Sequence, residues 1–162
     1  MDVLWYGSIP SEFHHDPLPI RSHLSIGGTF TPAVFPIGDT VELSAGLSGY
    51  YTTRSIVFGT TFWRPFMAFG TSIDMSLYIS PSFVGKIGTA LLLGMYLPTW
   101  ELAPIWRLQL AGEYALTEQS QRNRWFVRIP ISVDIRFDYI SVFAGIGFSC
   151  RINRLIAKEQ NR

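Results

Sequence analysis

Apolar residues recur at every second position along most of the chain, segment after segment. A period of two places successive side chains on opposite faces of an extended strand. The alternation predicts strands over 19–30, 40–51, 54–63, 67–80, 84–97, 105–116, 124–137 and 139–150. The seventh segment shows it most plainly. Trp125, Val127, Ile129, Ile131, Val133, Ile135 and Phe137 share one face, while Arg124, Phe126, Arg128, Pro130, Ser132, Asp134 and Arg136 share the other. The third is the weakest, with Val57 and Trp63 on its nominally polar side.

The connections are short. Segments 31–39 and 117–123 are the longest, and 51–54, 64–66, 80–82 and 137–139 read as tight turns. Short links between consecutive strands imply antiparallel hairpins in a meander. A sheet with one apolar face is expected to close rather than leave two long edges. The expected fold is therefore all-β, a closed eight-stranded antiparallel up-and-down transmembrane barrel. It would span 19–150, between an irregular flank at 1–18 and a basic tail at 151–162.

Alternation does not say which face looks inward, since a soluble carrier barrel alternates with its apolar side inside. The apolar face holds no charge in any strand interior, and the other face is rich in Gly, Ser, Thr and Ala rather than Lys and Glu. Charge at mid-bilayer costs roughly 2–4 kcal/mol, and small residues suit a crowded lumen. The apolar face is thus expected to meet lipid. Two aromatic belts would mark the interfaces: Phe30, Phe62, Phe69, Trp106 and Phe137 at one rim, and Tyr51, Tyr114, Trp125 and Phe148 at the other.

Composition agrees with this picture. Charged residues are 15% of the chain, hydrophobic residues 48% and aromatics 15%, with a net charge of +1. The basic residues are scattered, so no nucleic-acid partner is expected. No run of about 18 apolar residues suggests a transmembrane helix. Residues 1–19 show neither the basic nor the apolar region of an export signal. The single Cys150 excludes an internal disulfide and reads as a small apolar residue at a strand end.

The inward ionisable residues are expected to be Arg21, His23, Glu42, Asp74, Lys86, Arg107, Glu113, Arg128, Asp134 and Arg136. Charges in so small a lumen must be paired or watered. In an antiparallel pair, opposed residue numbers have a constant sum. Glu113 with Arg128 and Arg107 with Asp134 give the same sum, so one register matches both opposite-charge pairs. That register also sets Gln109 against Ser132 and Ala111 against the mid-strand Pro130. The network reads as a polar plug that neutralises the lumen, in preference to a gated proton or ion path.

Other chemistry is thin. His14-His15-Asp16 lacks a second ligand cluster, so no metal is expected. His23, Ser25 and Glu42 have the residue types of a nucleophile, base and orienter, but a lumen serine does not meet an acyl chain. There is no Gly-x-Ser-x-Gly elbow, His-Glu-x-x-His helix or phosphate loop. No cofactor and no enzymatic activity are expected.

In strand number, alternation and lumen charge, 19–150 resembles the small eight-stranded outer-membrane barrels, such as the membrane domain of outer-membrane protein A and the outer-membrane protein X and W barrels. Ile140, Val142, Ala144, Ile146 and Phe148 resemble the last-strand signal that such barrels show to their assembly machinery, although the basic tail follows it. The resemblance implies a bacterial-type outer-membrane, porin-like cell-envelope location without a large open pore. It also implies membrane lipid as partner and a structural, anchoring or partner-binding role. Two other functions are open: an outer-membrane lipid-modifying enzyme, and a soluble lipocalin-like carrier of an apolar ligand.

Overall fold

A computed structural model describes residues 2–10, 21–57, 60–62, 65–97, 100–118, 123–136 and 139–152. The strands are β1 (Asp2–Pro10), β2 (Arg21–Ile37), β3 (Val41–Val57), β4 (Thr60–Phe62), β5 (Phe66–Ser80), β6 (Phe83–Tyr96), β7 (Leu102–Ala115), β8 (Asn123–Ile135) and β9 (Tyr139–Ile152). Every pairing among them is antiparallel. The long strands follow the order β2-β3-β5-β6-β7-β8-β9, a meander.

These seven long strands form an open, curled sheet that turns through 191°, with its edge strands 9 Å apart. The closed eight-stranded barrel expected from 19–150 is therefore not formed, and the reason lies at one position. The expected second and third strands are a single strand, β3. Its register against β2 runs Leu24↔Arg54 and then Ser25↔Thr52, so Thr53 is an extra residue in β3. Such a bulge inverts the in–out parity beyond it. That inversion is why the alternation of 40–51 does not run on unchanged into 54–57. Tyr51-Thr52-Thr53-Arg54 contains none of the Gly, Pro, Asn or Asp that would make a turn, and its residues are strand formers. Fusing two expected strands into one leaves seven long strands after residue 20 where eight were expected.

Two further differences follow the same logic. β2 runs on through the expected loop to Ile37, and the hairpin turns at Gly38-Asp39-Thr40, where Gly38 has φ +78°. A side chain is disfavoured at that angle. At the other end of the chain, Asp2–Pro10 is a strand. Its backbone runs along the 9 Å gap, paired with Arg21–Gly27 of β2 and Tyr139–Gly147 of β9.

The seven long strands turn through only 191° and do not close on one another. The reading as an integral outer-membrane, porin-like barrel falls with the closed architecture on which it stood, and the resemblance to the small outer-membrane barrels falls with it. No helix among the described residues is long and apolar enough to cross a membrane. The faces are nonetheless sorted as the alternation requires. The concave side buries Tyr50, Phe66, Ala68, Ala90, Leu92, Ile105 and Phe143 together with a set of charged residues, and the convex side carries the exposed apolar side chains.

Candidate functional site

The β7–β8 ladder carries the register that the charge pairs require: Arg107↔Asp134, Gln109↔Ser132, Ala111↔Pro130 and Glu113↔Arg128. Alternation points all of these charges to the concave side. Asp134 is fully buried and accepts two hydrogen bonds from Arg107, Nε to Oδ1 at 2.5 Å and Nη2 to Oδ2 at 2.9 Å. The Tyr50 hydroxyl donates to Oδ2 at 2.6 Å. The guanidinium lies 4.2 Å from the centroid of the Tyr50 ring and 4.7 Å from that of Phe143. A delocalised cation between two ring faces is stabilised by their quadrupoles. Burial, reinforced by the Asp134 charge, pushes the Tyr50 phenol well above its ordinary range and keeps it a donor. Arg136 repeats the theme, 4.1 Å from the Phe66 centroid, with Nη1 donating to the Tyr96 hydroxyl at 3.0 Å.

A second cluster forms farther along the same strands. Glu113 is fully buried, with Lys86 Nζ at 3.9 Å and Arg128 Nε at 3.8 Å from its Oε1. Its Oε2 accepts a hydrogen bond from Arg151. Arg151 also donates to the Tyr78 hydroxyl at 2.7 Å, which in turn donates to Glu42 at 2.6 Å. Burial draws the Lys86 ammonium below its usual range, opposed by the charges of Glu113 and Asp74. The Asp74 carboxylate packs on Gly88, its register partner, where a Cβ would collide with it.

Eight of the ten expected interior charges thus have described side chains: Glu42, Asp74, Lys86, Arg107, Glu113, Arg128, Asp134 and Arg136. For Arg21 and His23 the description covers the backbone of β2 alone. Arg151, assigned to the tail by sequence, belongs to β9, which continues to Ile152. The imagined Ser25–His23–Glu42 arrangement does not assemble. Ser25 is buried against Thr52, whereas Glu42 pairs with Pro36, ten positions along β3 from Thr52. At about 3.3 Å per residue that is roughly 33 Å. His14, His15 and Asp16 lie outside the described residues, and no group of metal-ligating side chains occurs among the described ones.

Beside Arg107 the concave side has little free space. A void of about 10 Å³ remains between Gly27, Gly28, Gly49, Arg107, Gln109 and Pro130, room for about one water.

The convex side is the opposite in character. Among the described residues, twenty-nine large apolar side chains are 38–69% exposed, nearly all of them on this face. At roughly 100 Å² apiece, about half of what a large ring offers, they present on the order of 3,000 Å². The largest apolar patch of a typical monomer is about 300–600 Å². No described side chain at a convex strand position is charged. Two polar side chains there are satisfied within the protein: Trp106 Nε1 donates to Thr89 Oγ1 at 2.7 Å, and Thr89 Oγ1 donates to the carbonyl of Arg107 at 3.1 Å. Of the expected belt residues, Phe30, Tyr51, Phe69, Trp106, Tyr114, Trp125 and Phe148 are exposed. The side chain of Phe62 and the whole of Phe137 lie outside the description.

A groove of about 320 Å³ crosses the convex face. Gly85 and Gly112 are register partners and form its floor, and Leu77 and Ile129 flank them in the same cross-strand row. Met75, Ile87, Leu110 and Ile131, the next row on the same face, complete the wall. Sequence reasoning missed the groove because two opposed glycines become visible only once the register is known. No family model, curated protein or solved structure matches this chain.

Proposed function

We propose that the protein is a non-enzymatic binder of apolar ligands that takes lipid acyl chains on the convex face of its curled sheet. An open curled sheet fits the carrier reading better than a closed transmembrane barrel. The ligand's place, however, is outside. On the concave side the described residues form paired charges and packed rings, and the void beside Arg107 holds about one water's volume.

The observation that carries the reading is the extent of the uncharged convex face, where the Trp106 indole N–H is satisfied internally by Thr89. An exposed indole N–H in water needs no protein acceptor, but one placed against hydrocarbon does. The face also turns through 191°. A single folded partner does not wrap such a surface with one standard interface of about 800 Å² per side, whereas fluid acyl chains conform to any curvature.

The test is quenching of tryptophan fluorescence by phosphatidylcholine brominated on its acyl chains, using a chain that retains only Trp106 and Trp125. Strong quenching, absent with headgroup-labelled lipid, is expected. Unchanged emission together with failure to partition into lipid would overturn the reading.

A further inference from the structure

Trp100 stands in the link between β6 and β7 with φ +57°, the one non-glycine residue in the left-handed region among the described residues. Its N–H donates to the Tyr96 carbonyl at 2.8 Å, and the Tyr96 N–H donates to the Glu101 carbonyl at 3.2 Å. A bond back across four residues from a left-handed closing residue is a common way to end a turn, and Gly or Asn usually takes that place. Gly adopts the angle at no steric cost, whereas the Cβ of a bulky residue crowds its own backbone there. The link holds the largest side chain of all where the smallest would be most stable.

Packing within the protein does not offset that strain. The Trp100 side chain is 68% exposed. Among the described residues no group accepts a hydrogen bond from its indole N–H, in contrast to Trp106, whose Nε1 donates to Thr89. Strain kept without a packing gain directs attention to what the side chain meets outside the protein.

The position of the link says what that is. The last cross-strand row of the convex face is Tyr51, Met67, Met95 and Leu102. Glu101, charged and exposed, precedes Leu102, and Trp100 lies one residue farther out. The uncharged field thus ends at Leu102, with Trp100 just past its border. A ring with an apolar body and one polar N–H suits the boundary between acyl chains and headgroups, where the body meets hydrocarbon and the N–H meets an oxygen. Trp106 lies four residues inside the same border, and its N–H is satisfied by the protein, as a ring among acyl chains requires.

We infer that Trp100 is an interfacial anchor, which places its indole among phospholipid headgroups and fixes this end of the curled sheet at the lipid–water boundary. The inference rests on the acyl-chain reading of the convex face and adds a depth to it, with Trp106 among the chains and Trp100 at the headgroups.

The experiment compares the full-length chain with its Trp100→Gly and Trp100→Asn variants, since both residues accept the left-handed angle. Partitioning onto phosphatidylcholine vesicles is measured by flotation, and urea midpoints are measured without lipid. Both variants are expected to unfold at higher urea than wild type, because the strain is relieved, and yet to partition several-fold less. Phosphatidylcholine brominated on its acyl chains should still quench the remaining tryptophans of the vesicle-bound variants, because the convex contacts are kept. Wild-type partitioning by both variants would overturn the anchor. Lowered urea midpoints in both would overturn it too, by showing that Trp100 is kept for its packing. Failure of the wild-type chain itself to partition would remove the acyl-chain reading, and the anchor with it.

Discussion

Asp134 and Arg107 are neighbours twice over, as register partners across β7 and β8 and as a bidentate ion pair buried between the rings of Tyr50 and Phe143. The backbone ladder places the two Cα atoms, alternation turns both side chains inward, and the rings exclude water. Removing one partner leaves an uncompensated buried charge.

Asp134→Asn is expected to destabilise the fold by about 3–5 kcal/mol, because Arg107 and the Tyr50 hydroxyl both lose the charge they share. Arg107→Met combined with Asp134→Leu should cost less than the sum of the single changes. Urea unfolding followed by tryptophan emission measures both, and strict additivity would show that the pair is not coupled.

Glu113 is the acceptor on which Lys86, Arg128 and Arg151 converge. Glu113→Gln should therefore be as damaging, about 3–5 kcal/mol. Adding Lys86→Met to that variant should restore part of the loss, since it removes a buried cation whose charged form burial already disfavours. A further loss in the double variant would contradict this account of the cluster.

The interior was largely legible in the sequence, because the period of two sorts side chains by face regardless of how the sheet is finished. Two opposite-charge pairs sharing one register sum were enough to align β7 with β8. What escaped was whatever breaks the period. Thr53 shifts the parity of β3 and made one strand read as two. In β1, Leu4 and Tyr6 alternate with Val3 and Trp5, so both faces look apolar and no alternation shows. Arg151 was missed because a strand end is the least marked feature of a sequence. The glycine-floored groove depends on four strands in register, which no local pattern encodes.

Gly85→Ala should be tolerated or mildly stabilising, by about 0.5–1 kcal/mol. The nearest atom to an added Cβ is the Ile79 Cδ1 at 3.6 Å, an ordinary contact. Gly85→Leu should instead fill the groove while leaving the interior untouched. Quenching of the convex tryptophans by a brominated alkane should fall several-fold in the leucine variant and stay near wild type in the alanine variant. Equal quenching in both would remove the groove from the binding account.

Alkaline stability offers an independent check of the second cluster. Burial, together with the Glu42 interactions and against the opposing charge of Arg151, pushes the Tyr78 phenol from 10.0 up to about 12. The folded state keeps that proton over a range in which the unfolded chain has lost it. The associated stability is complete below pH 10 and is lost as pH rises toward 12. Tyr78→Phe should lower stability at neutral pH and flatten this alkaline decline, as read from urea midpoints between pH 9 and pH 12. A decline as steep as wild type would assign the effect to Tyr50 alone.

β1 is made well before the β9 edge it pairs with. At about 5–20 residues per second, the first strand waits roughly 7–30 s for its second partner to leave the ribosome. Throughout that interval the growing chain offers apolar strands with open edges, and contacts this distant in sequence form slowly. The fold therefore places its greatest exposure during synthesis, and a chaperone that shields extended apolar segments would act on this chain then.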